Sequence, residues 1–195
     1  MKASQRRRAI LVSAAPLFNR HGFAGTSIAD ILAATDLEKG GLYNHFASKE
    51  ELALEAFEYA FGEVQAYFAD ALATVESGYA RLIAFIDAFE RYAERPVVDG
   101  GCPLANAALQ ADDALPLLRE RVSAAFRALR DAVARNVARA IEKGEIPAQT
   151  DAQALADLVV AALEGALLLA RGLRSRVHVK RVAQSLRTML AGMRA

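Results

Sequence analysis

The chain has 195 residues, 54% of them hydrophobic and 24% charged, with a formal net charge of +1. Those figures describe an ordinary folded protein and exclude a polycation. One cysteine excludes an internal disulfide framework and fits a reducing compartment.

Charge is unevenly spread: residues 1–50 carry a balance of +3 and residues 51–195 a balance of −2. Lys2, Arg6, Arg7 and Arg8 open the chain. A basic head on a slightly acidic body fits either an end that meets an anionic partner or a solvated positive terminus. No apolar run of signal-peptide length follows the first arginines. The candidate membrane stretch, Leu155 to Ala170, contains Asp157 and Glu164 and falls short of the roughly 20 residues that span a bilayer. The expectation is a cytoplasmic chain with no membrane partner.

Apolar residues recur at spacings of three and four throughout, and strand-like alternation is rare, so the expected fold class is all-α with about nine helices. The first helix is expected from about Ser4 to Arg20, with Pro16 kinking or splitting it and His21-Gly22 ending it. Thr26 or Ser27 then caps a second helix to about Ala34, with Asp30 completing a capping box. A turn at Thr35-Asp36-Leu37 leads to a third helix, Glu38 to Phe46. Ser48 caps a fourth, continuing to about Ala73, with Glu50 and Glu51 in its first turn. Further helices are expected at about 78–94, 103–111, 116–143, 151–172 and 178–193. The helix from Pro116 carries Leu118, Val122, Phe126, Leu129, Val133, Val137 and Ile141 on one face. The expected domains are a reading head at 1–47 and a helical sensing and dimerisation domain at 48–195, with 48–73 as connecting helix.

Two short helices joined by a three-to-four-residue turn form a helix-turn-helix, whose second helix enters the DNA major groove; an ordinary helical hairpin has the same spacing. Ile28, Ile31, Leu32, Leu37, Leu42 and Phe46 can form a small core with Phe18 and Phe23, leaving Lys39, Gly40, Gly41, Tyr43, Asn44 and His45 facing outward. Each glycine costs a helix interior about 1 kcal/mol relative to alanine, a cost accepted where a larger side chain would collide with a close neighbour such as a sugar-phosphate backbone. Tyr43 and His45 can donate to phosphates, Lys39 adds charge near the helix start, and Asn44 can pair with adenine.

The run from Arg8 to Leu54 resembles the DNA-binding domain of TetR-family regulators. The resemblance lies in Ala14–Phe18, Gly22-Phe23, Thr26-Ser27, Ile31, Leu37, Leu42–Phe46 (LYNHF) and Ser48–Leu52 (SKEEL). It implies a homodimer on a double-stranded, palindromic DNA operator, with a recognition helix at about 38–44. It also implies phosphate contacts from Thr26, Tyr43, His45 and Lys49. Glu38 stands where the family often has a capping serine, and Gly41 replaces a frequent threonine. Ser27, Lys39, Gly40 and Gly41 complete the expected DNA face.

Beyond about residue 60 the resemblance weakens. The helix at 151–172 is apolar nearly all round, which places it either between the core and a twin subunit or at the centre of one monomer. In the first case Leu158, Ala162, Gly165 and Leu169, with Val182, Leu186 and Met189 of the last helix, form the interface. An effector pocket is expected among helices 52–141, lined by Phe61, Tyr67, Phe68, Phe85, Phe89, Tyr92 and Phe126, unless these aromatics are simply core. Cys102 lies just before a helix, a position that favours thiolate. The stretch GCPLANAALQ at 101–110 resembles the start of the sensing core in a TetR subgroup that includes reactive-electrophile and acrylate-type sensors. Cys102 is either such a sensor or a structural thiol.

His21, His45 and His178 are scattered, with no HExxH motif, nucleophile elbow or phosphate loop. No catalytic residues, metal site or cofactor are expected. The sequence therefore reads as a one-component transcriptional regulator, a repressor by family analogy, answering a small-molecule effector. An activator of the same fold, or a helical adaptor that binds no DNA, remains the alternative.

Overall fold

The computed structural model describes residues 3–110 and 115–194, so Lys2 and the expected helix end at Ala111 lie outside the described residues. Among the described residues there are nine helices and no strand. They are α1 (Ala3–Gly25), α2 (Ile28–Thr35), α3 (Lys39–Tyr43), α4 (Lys49–Leu72), α5 (Gly78–Glu94), α6 (Pro103–Ala108), α7 (Pro116–Glu142), α8 (Ala152–Gly172) and α9 (Val177–Gly192). Two compact units form, and neither follows chain order: residues 1–65 with 97–125, and residues 66–96 with 126–195. The expected head thus shares its unit with the first part of α4 and with α6.

In the first unit, Ile10 and Ala14 of α1 meet Ile31 of α2, Leu42 and Phe46 around α3, and Leu52 of α4 in one buried cluster. Pro16 does not kink α1, contrary to expectation. The backbone stays helical through Pro16, and within α1 only Gly22 leaves the helical region, at φ 76°. The Thr26 hydroxyl donates to the Gly22 carbonyl freed there, at 2.7 Å. Ser27 caps α2: its oxygen accepts from the Asp30 amide at 3.1 Å, and the Asp30 carboxylate accepts from the Ser27 amide at 2.8 Å. The Ser27 hydroxyl, donating to that carboxylate at 2.6 Å, and then the Ser27 amide hold the Asp30 carboxyl below its usual range. Asp36 turns the chain in the left-handed region at φ 52°, which a short polar side chain tolerates.

The second unit packs Leu82, Phe85, Ile86 and Phe89 of α5 against Val133 and Val137 of α7, Val159 and Leu163 of α8, and Val179 and Leu190 of α9. Arg81 joins three elements: its guanidinium donates to the Leu72 and Val75 carbonyls and to Asn136, each at 2.8 Å. Arg187 of α9 reaches Asp87 at 2.7 Å and Glu90 at 2.8 Å on α5. Helix α8 has 21 residues, longer than the stretch weighed from sequence, and by length and composition alone it could cross a membrane. Its inward residues Leu155, Val159, Leu163 and Ala166 sit in this unit's core, where apolar helices of bundles ordinarily lie.

Gly78 opens α5 where α7 crosses it. A Cβ there would stand 2.4 Å from the Ala140 amide nitrogen and 2.6 Å from the Asn136 carbonyl oxygen, both backbone atoms that cannot swing away. Gly78→Ala is therefore expected to destabilise the protein by roughly 1–3 kcal/mol. Gly62→Ala in α4, where a Cβ meets nothing within 4 Å, should be neutral or stabilising by up to about 1 kcal/mol. Urea unfolding followed by circular dichroism separates the two.

Candidate nucleic-acid interface

Helix α3 has five residues, shorter than the expected 38–46. Its N-cap Glu38 makes no side-chain capping bond, and two glycines follow Lys39. Leu42 and Phe46 point inward. Lys39, Gly40, Tyr43 and Asn44 are exposed, while Gly41 and His45 are half-buried. A Cβ at Gly40 would meet nothing within 4 Å, and one at Gly41 only the Leu37 side chain at 3.5 Å. No neighbour within the chain, then, requires glycine at either place.

The other residues expected at this face are placed differently from one another. Ser27 is exposed beside its Asp30 partner. Thr26 is turned inward, 1% exposed, its hydroxyl proton committed to Gly22. Lys49 opens α4 with its ammonium 4.3 Å from the centre of the Phe23 ring, a cation–π contact. Phe23 is accordingly outside the head core in which the sequence placed it. It lines a groove with Ala53, Phe57, Leu118 and Asn106 instead.

Sequence reasoning missed two features. Arg7 lies on the face of α1 that carries Ile10 and Ala14, and it contacts Glu51, Glu55, Phe46 and the His45 carbonyl. A charged residue three before Ile10 on a core-facing stripe was the available signal. The second feature joins α6 to α1. The Asn106 amide donates to the Asn19 side-chain oxygen at 2.9 Å, the Asn19 carbonyl at 3.1 Å and the Gly100 carbonyl at 2.9 Å. The Asn19 amide donates to the Asp99 and Gly101 carbonyls at 2.9 and 3.0 Å. The Gln110 oxygen accepts from the Phe23 amide at 2.9 Å, and Arg20 pairs with Asp99 at 2.5 Å. Asn106 amid alanine and leucine was the sign of a buried polar contact.

Cys102 is the N-cap of α6 and is buried. Of the aromatics expected to line a pocket, Phe68, Phe85, Phe89 and Tyr92 pack on one another with ring centres 5.0–6.4 Å apart. The Tyr67 hydroxyl donates to the Ala88 carbonyl at 3.0 Å. Phe61 stacks on Phe57 in the first unit. Phe126 lines an open groove with Arg127, Arg130, Val160 and Glu164 in the second. No group of three or more metal-ligating side chains occurs among the described residues.

On α8, Leu158 and Leu169 are about half exposed, at 49% and 50%, as is Leu168. Ala161 is exposed beside them, and Ala162 and Gly165 are half-buried. On α9, Leu186 lies in its own unit's core, and Val182 and Met189 pack against that core. Leu186 therefore faces inward.

Residues 10–56 match the family described as bacterial regulatory proteins, tetR family, and residues 78–186 match the tetracyclin repressor-like C-terminal domain. An uncharacterized HTH-type transcriptional regulator of Mycobacterium tuberculosis is 32% identical over 190 residues, covering 94% of this chain and 93% of its own. The HTH-type transcriptional repressor DhaR of Mycobacterium sp. (strain GP1) is 26% identical over 161 residues, covering 82% and 79%. The crystal structure of a TetR transcriptional regulator from Chloroflexus aurantiacus superposes with a TM-score of 0.94 at 44% identity, covering 98% of this chain and 97% of that one. The chain is a member of the TetR family of transcriptional regulators.

Proposed function

We propose that this regulator is a cytoplasmic repressor that binds a palindromic operator as a homodimer and releases it when a small-molecule or electrophile signal moves α6. The observation that carries the DNA-reading part is the outward face of α3. It offers a lysine, a tyrosine and an asparagine around two glycines that nothing within the chain explains. A helix that gives up about 1 kcal/mol at each glycine without an internal neighbour is shaped for an external one that comes close. Lys39, Tyr43, Asn44, His45 and the start of α4 at Lys49 supply donors for phosphate and base edges. Ser27 flanks them, and Thr26 supports the fold behind them through Gly22.

The homodimer reading is supported by α8. Leu158, Ala161, Gly165, Leu168 and Leu169 fall at steps of three, four, three and one, a single apolar stripe on the side away from the core. Small residues among the leucines let a twofold-related copy approach closely. The sensing reading is supported by the bonds from α6, the loop before it and Gln110 just after it to Asn19, Arg20 and Phe23 of α1. A signal that displaced α6 would have to break them. Cys102, at the start of α6, is the candidate electrophile target, and its burial means that α6 must open for attack.

Gly40→Ala tests the reading directly, using a duplex selected from a random-sequence library by the wild-type protein. Alanine should raise thermal stability, by up to about 1 kcal/mol, yet weaken binding tenfold or more in fluorescence anisotropy. Unchanged affinity would remove the close approach. A wild-type protein that selects no sequence and shows no salt dependence would favour the helical adaptor. For the dimer, the double substitution Leu158→Glu with Leu169→Glu should yield monomers in light scattering and abolish binding to the selected duplex. A dimer that survives it places the interface elsewhere.

A further inference from the structure

We propose that Arg7 is a positioning residue for base reading: it fixes the exit of α3 so that the helix meets DNA at a defined angle. The inference rests on the DNA-reading role proposed above. The problem it addresses is physical. Five residues, two of them glycine, with no side-chain N-cap, cannot hold a helix axis by themselves. The entry to α3 is set by the Asp36 turn, whereas the exit, His45 to Ala47, needs an external hold.

A single cluster gives it. An Arg7 Nη1 hydrogen is donated to the His45 carbonyl. The guanidinium carbon lies 4.2 Å from the centre of the buried Phe46 ring. Arg7 Nε donates to Glu55 Oε2 at 2.9 Å, and Nη2 donates to Glu51 Oε1 at 2.7 Å and to the other Glu55 oxygen. The second oxygen of Glu51 accepts from the Ala47 amide at 2.6 Å. Carbonyl, ring and amide of three successive residues are thereby tied to α1 and α4 through one guanidinium. The Glu55 hydrogen bonds raise the Arg7 pKa, and the Ala47 amide with Arg7 lowers that of Glu51, so both stay charged.

Two carboxylates compensate this cation, and four of its five N–H donors are engaged inside the protein. That sets it apart from its neighbour Arg8, whose side chain is 71% exposed, with a longer contact to Glu63 at 3.7 Å and an interaction with Tyr59. Arg7 therefore serves direction rather than phosphate attraction. Lysine cannot replace it, because a single ammonium cannot serve two carboxylates and a carbonyl in a planar fork.

The test compares wild type, Arg7→Lys and Glu55→Gln on a duplex selected from a random-sequence library by the wild type, and on a scrambled duplex of equal length, across a salt series. Circular dichroism first confirms that each variant is folded, and Glu55→Gln stands in where Arg7→Lys is not. The expected result is a tenfold or greater loss on the selected duplex, with affinity for the scrambled duplex and the salt slope unchanged. Hydrogen exchange at the Asn44, His45 and Phe46 amides should quicken while the Ile31 amide keeps its protection. Wild-type affinity in the variants overturns the proposal. So does an equal loss on both duplexes with a salt slope smaller by about 0.9, the mark of a lost phosphate contact. Exchange needs no DNA: if the wild type selects no sequence, the DNA-reading role fails separately, and unaltered exchange at 44–46 would still overturn the hold by Arg7.

Discussion

The reading head depends on how a five-residue helix is held. Two interior glycines cost α3 about 2 kcal/mol relative to alanine, and the missing side-chain cap at Glu38 costs about 1 kcal/mol more. Burial of Leu42 and Phe46 returns roughly 1.5–3 kcal/mol each. The inward face thus supplies the stability, and the outward face can be chosen for what it meets. This division explains why Leu42 and Phe46 share a cluster with Ile10, Ala14, Ile31 and Leu52. Leu42 of α3 and Phe46 just beyond it continue the core, while Lys39, Gly40 and Tyr43 form a surface.

The break at Gly22 belongs to the same economy of positions. At φ 76° only glycine is unstrained, and a Cβ there would stand 2.2 Å from the Gln110 side-chain oxygen. The break frees the Gly22 carbonyl, which Thr26 satisfies, while Gln110 receives the Phe23 amide. Gly100, at φ 112°, lets the loop before α6 lie against Asn19, where a Cβ would come within 2.9 Å of the amide nitrogen. Gly22, Gly100, Asn19, Asn106 and Gln110 are therefore one arrangement: two helix ends exchanging buried hydrogen bonds.

Much of this was legible in the sequence, for reasons that differ by residue. The three-four spacing from Leu118 to Ile141 is a local property and located α7 within a residue at each end. Ser27 with Asp30 is a local capping box. The association of residues 97–125 with the head was not legible, because it rests on bonds spanning some eighty residues, such as Asn19 to Asp99 and to Asn106. No periodicity records them. Phe23 was misplaced in the head core for a related reason. It sits just after the break at Gly22, where helical phase no longer tells which way a side chain faces. The inward turn of Leu186 depends on the packing of α9 against α5, visible in the Arg187 bridges but not in the apolar pattern of α9 alone.

The hydrogen bonds between α6 and α1 also set the scale of signalling in the proposed regulator. A hundredfold change in DNA affinity corresponds to about 2.7 kcal/mol of differential binding. A net contribution of about 0.5–1.5 kcal/mol per hydrogen bond means that two or three of the contacts among Asn19, Asn106, Gln110 and the 99–101 carbonyls cover that difference. Separating them without water would cost more, since the Asn106 side chain is buried. A ligand or adduct at α6 therefore needs no large displacement: shifting that helix by the length of a hydrogen bond already strains the end of α1 that leads into α2. In the proposed regulator this latch is what would couple the head to α6, because hydrogen bonds are short-ranged and directional, which a purely apolar contact able to slide is not.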